Sequence, residues 1–241
     1  MATKSKPPAR STFYAQIGAQ GWHKSGYDTF TYDSPAFRRW MTAQLGLKSR
    51  KILSIGCGAG ELEAELMAAG HAVTGLDLSP AMLVRAARKG LERLVAADAR
   101  HLPFGAERFD IVMIMESIGY LALDDVFPEA RRVLKQRGRF LITTYGATID
   151  AHARYHKWRM DEVTESLIKA GFRIDEKQCL DVKKSSVRDA VSEQKAGLLY
   201  VAARPENRTA RPKKNGAAMR RRAATPRRRS PRAARPKAVP V

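Results

Sequence analysis

The sequence predicts an α/β domain: a doubly wound, mostly parallel sheet of seven strands with helices on both faces, followed by a disordered basic tail. Three observations predict it. From Lys51 onward, short apolar runs alternate with amphipathic segments of helical period, the pattern of strand–helix–strand units. The run FDIVMIM at Phe109–Met115 is almost continuously apolar, as a strand covered on both faces must be. After Ala203 bulky apolar residues become scarce, too few to offset the entropy of ordering.

Taken in order, residues 1–11 are polar and read as disordered, and the domain proper spans 12–203. Its first part, 12–50, opens with Phe13, Tyr14, Trp22, Tyr27, Phe30 and Tyr32; Trp22 is the best candidate for a lid over a ligand. Ser34-Pro35 then supplies a cap and a first-turn proline, and Phe37, Trp40, Met41 and Leu45 recur at helical spacing. Strands are expected at Lys51–Ile55, Ala72–Asp77, Arg93–Ala97, Phe109–Met115 and Arg139–Thr144. Helices are expected between them, at 60–69, 80–89 and 124–135, with Ser79-Pro80 repeating the cap-and-proline start and Gly138 closing the turn after the last. A helix over Asp161–Ala170 stops at Gly171. Two strands follow, near Phe172–Leu180 and Leu198–Ala203, joined by a polar loop or short helix. Residues 204–241 form the tail.

The chain carries a formal net charge of +20, unevenly spread. Fourteen Lys and Arg against the single acid Glu206 give residues 204–241 a net +13, leaving +7 for the rest. Two distant cysteines, Cys57 and Cys179, make neither a disulfide framework nor a metal site and suit a reducing compartment. No apolar run has the roughly 18–20 residues of a membrane span, and the N-terminus has no apolar signal region. The expected location is cytoplasmic.

Chemistry gathers at strand ends. Lys51–Ile55 runs into Gly56-Cys57-Gly58-Ala59-Gly60-Glu61, where glycines allow a sharp turn and close approach of a ligand to the backbone. A dinucleotide cradle needs its third glycine at position 61, occupied here by Glu61. That disfavours a nicotinamide-linked oxidoreductase and suits a ligand without phosphates. Asp77, closing the second strand, is placed to accept from both hydroxyls of a ribose. Asp98, after the third, either accepts from an exocyclic amine or is a solvated loop acid. Cys57 needs no explanation beyond a small side chain in a tight loop.

These pieces together resemble the class I methyltransferases, in particular the group similar to ubiquinone- and menaquinone-biosynthesis enzymes. ILSIGCGAG, VTGLDLSPAML, AADARHLPF, FDIVMIME and RVLKQRGRFLI carry the resemblance, and HKWRMDEVTESLIKAGF resembles the family's closing helix and strand. It implies a Rossmann-like fold and S-adenosylmethionine as cofactor. Gly56, Gly58 and Gly60 would lie against the methionine portion, and Asp77 would hold the ribose. Leu78 would pack on the adenine, Asp98 and Ala99 would face its amine edge, and Met115 and Glu116 would border the cofactor. The chain departs from the family at Gln136-Arg137-Gly138, where Pro-Gly-Gly is usual.

Methyl transfer from a sulfonium is an in-line displacement in which the cofactor brings the reactive group, so alignment matters more than acid–base machinery. If the acceptor is a hydroxyl, a base is needed. His152 and His156, after the fifth strand, are candidates against the plainer reading of solvated loop histidines, with Glu116 in reserve. Tyr120 and Tyr145 follow strands four and five and are candidates to line the pocket. The stretch Glu116-Ser117-Ile118-Gly119 lacks the (Asp/Asn/Ser)-Pro-Pro-aromatic motif of amino-group DNA methyltransferases, and neither cysteine falls where C5 enzymes place theirs. A small-molecule acceptor is therefore expected. The tail suggests the alternative, a nucleic-acid-associated protein held on the phosphate backbone through residues 204–241, unless the tail is only a solubilising extension.

Overall fold

The computed structural model describes residues 35–145, 156, 158–181, 186–189 and 198–205. Trp22 and its aromatic neighbours, His152, and residues 206–241 lie outside this set. The chain divides into a unit ending at Asn207 and the stretch Arg208–Val241.

The described elements are α1 (Pro35–Leu45), β1 (Lys51–Ile55), α2 (Glu61–Ala68), β2 (Ala72–Asp77), α3 (Pro80–Arg88), β3 (Leu94–Ala96) and β4 (Phe109–Met115). A 3₁₀ turn (Ile118–Tyr120) follows, then α4 (Leu123–Val133), β5 (Leu134–Tyr145), α5 (Met160–Lys169), β6 (Phe172–Asp181), β7 (Ser186–Asp189) and β8 (Leu198–Pro205). They form one sheet in the order β3-β2-β1-β4-β5-β8-β6-β7. β1 to β5 pair parallel, while β8 runs antiparallel between β5 and β6. Seven of these strands make up the sheet expected from the sequence. The eighth, β7, pairs antiparallel with the end of β6, where a loop or short helix was expected. Its sequence, SVRD, is too short and too polar to reveal a strand alone, and β6 supplies the partner.

Consecutive residues Ile111–Met115 are all buried, and because neighbours on a strand point to opposite faces, both faces of the sheet are covered. α4 contributes Leu123, Val126, Phe127, Ala130 and Val133, all buried, at the spacing of one helical face. Phe127 meets Phe140 edge-on at 5.3 Å, and Phe140 meets Phe172 at 5.1 Å, joining α4, β5 and β6 in one core. Ser79 caps α3 with Pro80 in its first turn, as the sequence indicates. Arg139 on β5 donates to the carbonyl of Gln44 at 3.0 Å, satisfying a terminal acceptor of α1.

Gly138 differs from expectation. It lies within β5, in a bulge where the register shifts between Phe109–Leu134 and Ile111–Arg139. A Cβ there would stand 2.6 Å from Leu134 Cδ1 and 2.9 Å from the Asp110 carbonyl oxygen. The glycine is needed for close approach inside the sheet rather than to close a turn.

Candidate functional site

The strand order reverses between β1 and β4, and in open α/β sheets the crevice at such a point, outside the carboxyl ends of the strands, takes the ligand. Here those ends carry the glycine loop after β1 and Glu116-Ser117 after β4. Gly56, Gly58 and Gly60 have φ of +72°, +56° and +76°, a backbone that side chains disfavour. The amides of Gly56 and Cys57 both donate to the Leu76 carbonyl, at 2.7 and 3.0 Å. The two strand ends are joined directly, since Ser117 Oγ donates to the Ile55 carbonyl at 3.0 Å.

Asp77 ends β2 beside this loop. Its Oδ2 accepts from the Gly58 amide and its Oδ1 from the Ser79 amide, each at 2.8 Å. Burial pushes its carboxyl above the usual range, and these amide bonds oppose the shift. The amides of Gly58 and Ser79 fix the orientation of the carboxylate at the strand end. Next to it Leu78 is 55% exposed, an apolar side chain with free surface at the strand end.

The loop after β3 is fastened from α4. Glu129 accepts from the Leu102 amide at 2.9 Å, and Arg132 donates to the carbonyls of Leu102 and Phe104. Ala99 is buried. Asp98 is gripped by Arg100, whose guanidinium and amide both donate to it; the guanidinium bonds hold its carboxyl below the usual range. A ligand amine at Asp98 would share the carboxylate with Arg100.

At the end of β4 Met115 is buried, and Glu116 has φ +58°, a strained backbone for a non-glycine residue. The Thr143 hydroxyl holds this conformation, accepting from the Glu116 amide at 2.9 Å. His156 is exposed, but its amide donates to the Gly119 carbonyl at 2.9 Å. Its ring lies against Trp158 at 4.1 Å, and the Trp158 indole donates to the Ile118 carbonyl. The segment bearing His156 is thereby docked on the turn after Glu116. Burial raises the Cys57 thiol strongly, with Glu63, Asp77 and Glu61 adding to it, so it stays protonated and is no nucleophile. Among the described residues no three His, Cys, Asp or Glu side chains gather as a metal site, and no helix is long and apolar enough to cross a membrane.

Four site residues escaped the sequence reading: Ser117, Thr143, Glu129 and Arg132. Ser and Thr hydroxyls carry no positional signal, and the Glu129–Arg132 clamp resembles any exposed helical pair until the loop it holds is known.

Residues 53–142 match the family profile described as a methyltransferase domain. The malonyl-[acyl-carrier protein] O-methyltransferase of Geobacter sulfurreducens is 37% identical over 154 residues, covering 53% of this chain and 57% of that protein. The ubiquinone biosynthesis O-methyltransferase of Pseudomonas aeruginosa is 31% identical over 120 residues, 46% of this chain and 51% of its own. The chain thus spans about half the length of these curated relatives. The fold is shared with the Burkholderia thailandensis 1,6-didemethyltoxoflavin-N1-methyltransferase, solved with bound S-adenosylhomocysteine. That likeness has a TM-score of 0.59 at 24% identity and covers 86% of this chain and 95% of that one.

Proposed function

The domain at residues 53–142 belongs to the class I S-adenosylmethionine-dependent methyltransferases, and on that premise we propose that the chain methylates an oxygen nucleophile on a small molecule. The observation that carries this reading is the left-handed glycine loop tied through the Gly58 amide to Asp77 at the switch point of the sheet. Both curated relatives described above are O-methyltransferases by name, which supports oxygen as the acceptor atom.

Bound S-adenosylmethionine supplies an electrophilic methyl group on a sulfonium. The chain does the rest by placement. Gly56, Gly58 and Gly60 give its methionine portion a backbone without Cβ atoms, and Asp77 accepts from the ribose hydroxyls. Leu78 covers the adenine face, while Asp98 and Ala99 border its amine edge. Met115 would close the apolar side, and Glu116 would take the proton of a hydroxyl acceptor. Alignment of this kind is worth about 7–11 kcal/mol of barrier.

Asp77→Ala is expected to weaken S-adenosylmethionine binding by about 1.5–3 kcal/mol, the scale of hydrogen bonds to a charged group. Titration calorimetry measures it, and unchanged affinity would remove Asp77 from the site. The acceptor is sought by methyl transfer from radiolabelled cofactor to fractionated metabolites, nucleic acid and protein.

The charge of the tail favours a second reading for the partner: Arg204 belongs to β8 and pairs with Asp175, and beyond Asn207 thirteen cations stand with no acid. Such a segment holds nucleic acid by phosphate neutralisation, with steep salt dependence and no sequence preference. Ending the chain after Asn207, past the last residue of β8, should leave cofactor affinity and Tm unchanged. The same truncation should abolish retention on DNA at low salt. A truncated chain with the full chain's DNA affinity and salt slope would refute the tail's role.

A further inference from the structure

Beneath the glycine loop lies an acid that the transfer itself does not use. Glu63, the third residue of α2, is 3% exposed, and Ser54 on β1 is 1% exposed. Ser54 Oγ donates to Glu63 Oε1 at 2.6 Å. Ser54 stands two residues before Gly56 and Glu63 three after Gly60, so the pair bridges the base of the Gly56–Gly60 turn from inside. The groups bearing on Glu63 are the Ser54 hydroxyl on β1, Cys57 in the loop, Glu61 on the same helix and Asp77 at the end of β2. Glu61 is engaged by Lys89, and Asp77 by the amides of Gly58 and Ser79.

A carboxylate buried this deeply ionises reluctantly. Burial pushes the Glu63 carboxyl up to about 7; the Ser54 hydrogen bond opposes that shift, and Glu61 and Asp77 add to it. A positive charge set on the loop has the opposite effect, favouring the ionised form. The methionine portion of S-adenosylmethionine carries a sulfonium, an ammonium and a carboxylate, and so brings a net single positive charge.

Resting on the cofactor reading above, we propose that the Glu63–Ser54 pair couples cofactor binding to proton release. Below neutral pH Glu63 is mostly protonated while the loop is empty, and it gives that proton to solvent when the net-cationic end of S-adenosylmethionine settles on Gly56–Gly60. The carboxylate left behind, held by Ser54, positions that end from below. Glu63 is thus a positioning residue for the cofactor, acting through the loop.

The test is titration calorimetry of the full chain with S-adenosylmethionine at pH 6.5, in two buffers of different ionisation enthalpy. At that pH the cofactor's own amino group, with a pKa near 8, is already protonated. About 0.7 proton should be released per cofactor bound, and affinity should fall about eightfold from pH 6.5 to 5.5. Adenosine, which lacks the charged methionine portion, should bind with no proton released. Glu63→Gln keeps the acceptor for Ser54 and should abolish both the release and the pH dependence. Should that variant fail to fold, Ser54→Ala serves instead and should move the affinity midpoint to higher pH. Binding by the wild-type chain without proton release overturns this proposal and leaves the cofactor reading standing. Release that persists in Glu63→Gln assigns the proton to another group and also overturns it. No binding of S-adenosylmethionine at all overturns both.

Discussion

Glu116→Gln is expected to lower kcat by about 10²–10⁴-fold on a hydroxyl acceptor, the usual contribution of a positioned base, with cofactor affinity unchanged. Glu116 stands where β4 opens onto the crevice. Its φ of +58° is held by the Thr143 hydroxyl, and the next residue, Ser117, is hydrogen-bonded to the end of β1. A left-handed conformation costs a non-glycine residue about 1–2 kcal/mol, so the surrounding contacts must over-determine it. Gln keeps the size and the backbone and removes the ability to take a proton. Loss of kcat with unchanged cofactor affinity marks an interaction made in the transition state. The pH–rate profile of the wild type should show a limb from the base that the variant lacks. His156→Ala, which loses an exposed ring on a segment docked through its backbone, should stay within about tenfold. Wild-type turnover by Glu116→Gln would sink the assignment, and a large loss in His156→Ala alone would move the base to the histidine.

Gly56→Ala should destabilise the domain by about 2–5 kcal/mol, combining a left-handed backbone penalty with overpacking. For a domain of this size that lowers Tm by about 5–15 °C. The added Cβ would lie 2.5 Å from Ser117 Oγ and 2.6 Å from its Cβ, and Ser117 is not free to move because it bridges to Ile55. Cofactor affinity should fall with stability, since the displaced groups are the two strand ends that border the crevice. Gly70→Ala is the control. Gly70 has φ +87° but nothing within 4 Å of its Cβ position, so only the backbone penalty of about 1–2 kcal/mol applies. Equal costs for the two substitutions would show that the contact with Ser117 carries no weight.

Most strands and helices were legible because their signals are local. Phe109–Met115 is a strand in both readings, and Ser79-Pro80 does cap α3. The glycine spacing was legible for the same reason, since a tight turn leaves its mark in residue type. β7 was missed because its four residues are a strand only against β6. Leu134–Gly138 was misread because the bulge that needs Gly138 is set by its approach to Asp110.

Sequence by itself thus determined the alternation of elements, the parallel sheet they imply and the tight glycine turn after β1. All of these depend on residues close along the chain. Tertiary structure alone decided that Glu63 is buried against Ser54, that Glu116 is held left-handed by Thr143, and that Arg132 fastens the loop after β3. It also decided that Asp98 is engaged by Arg100. Each of these depends on which polar groups the packing brings within hydrogen-bond reach and how far it removes them from water. Local pattern carries no information on either, and the ionisation and strain of the site follow from both.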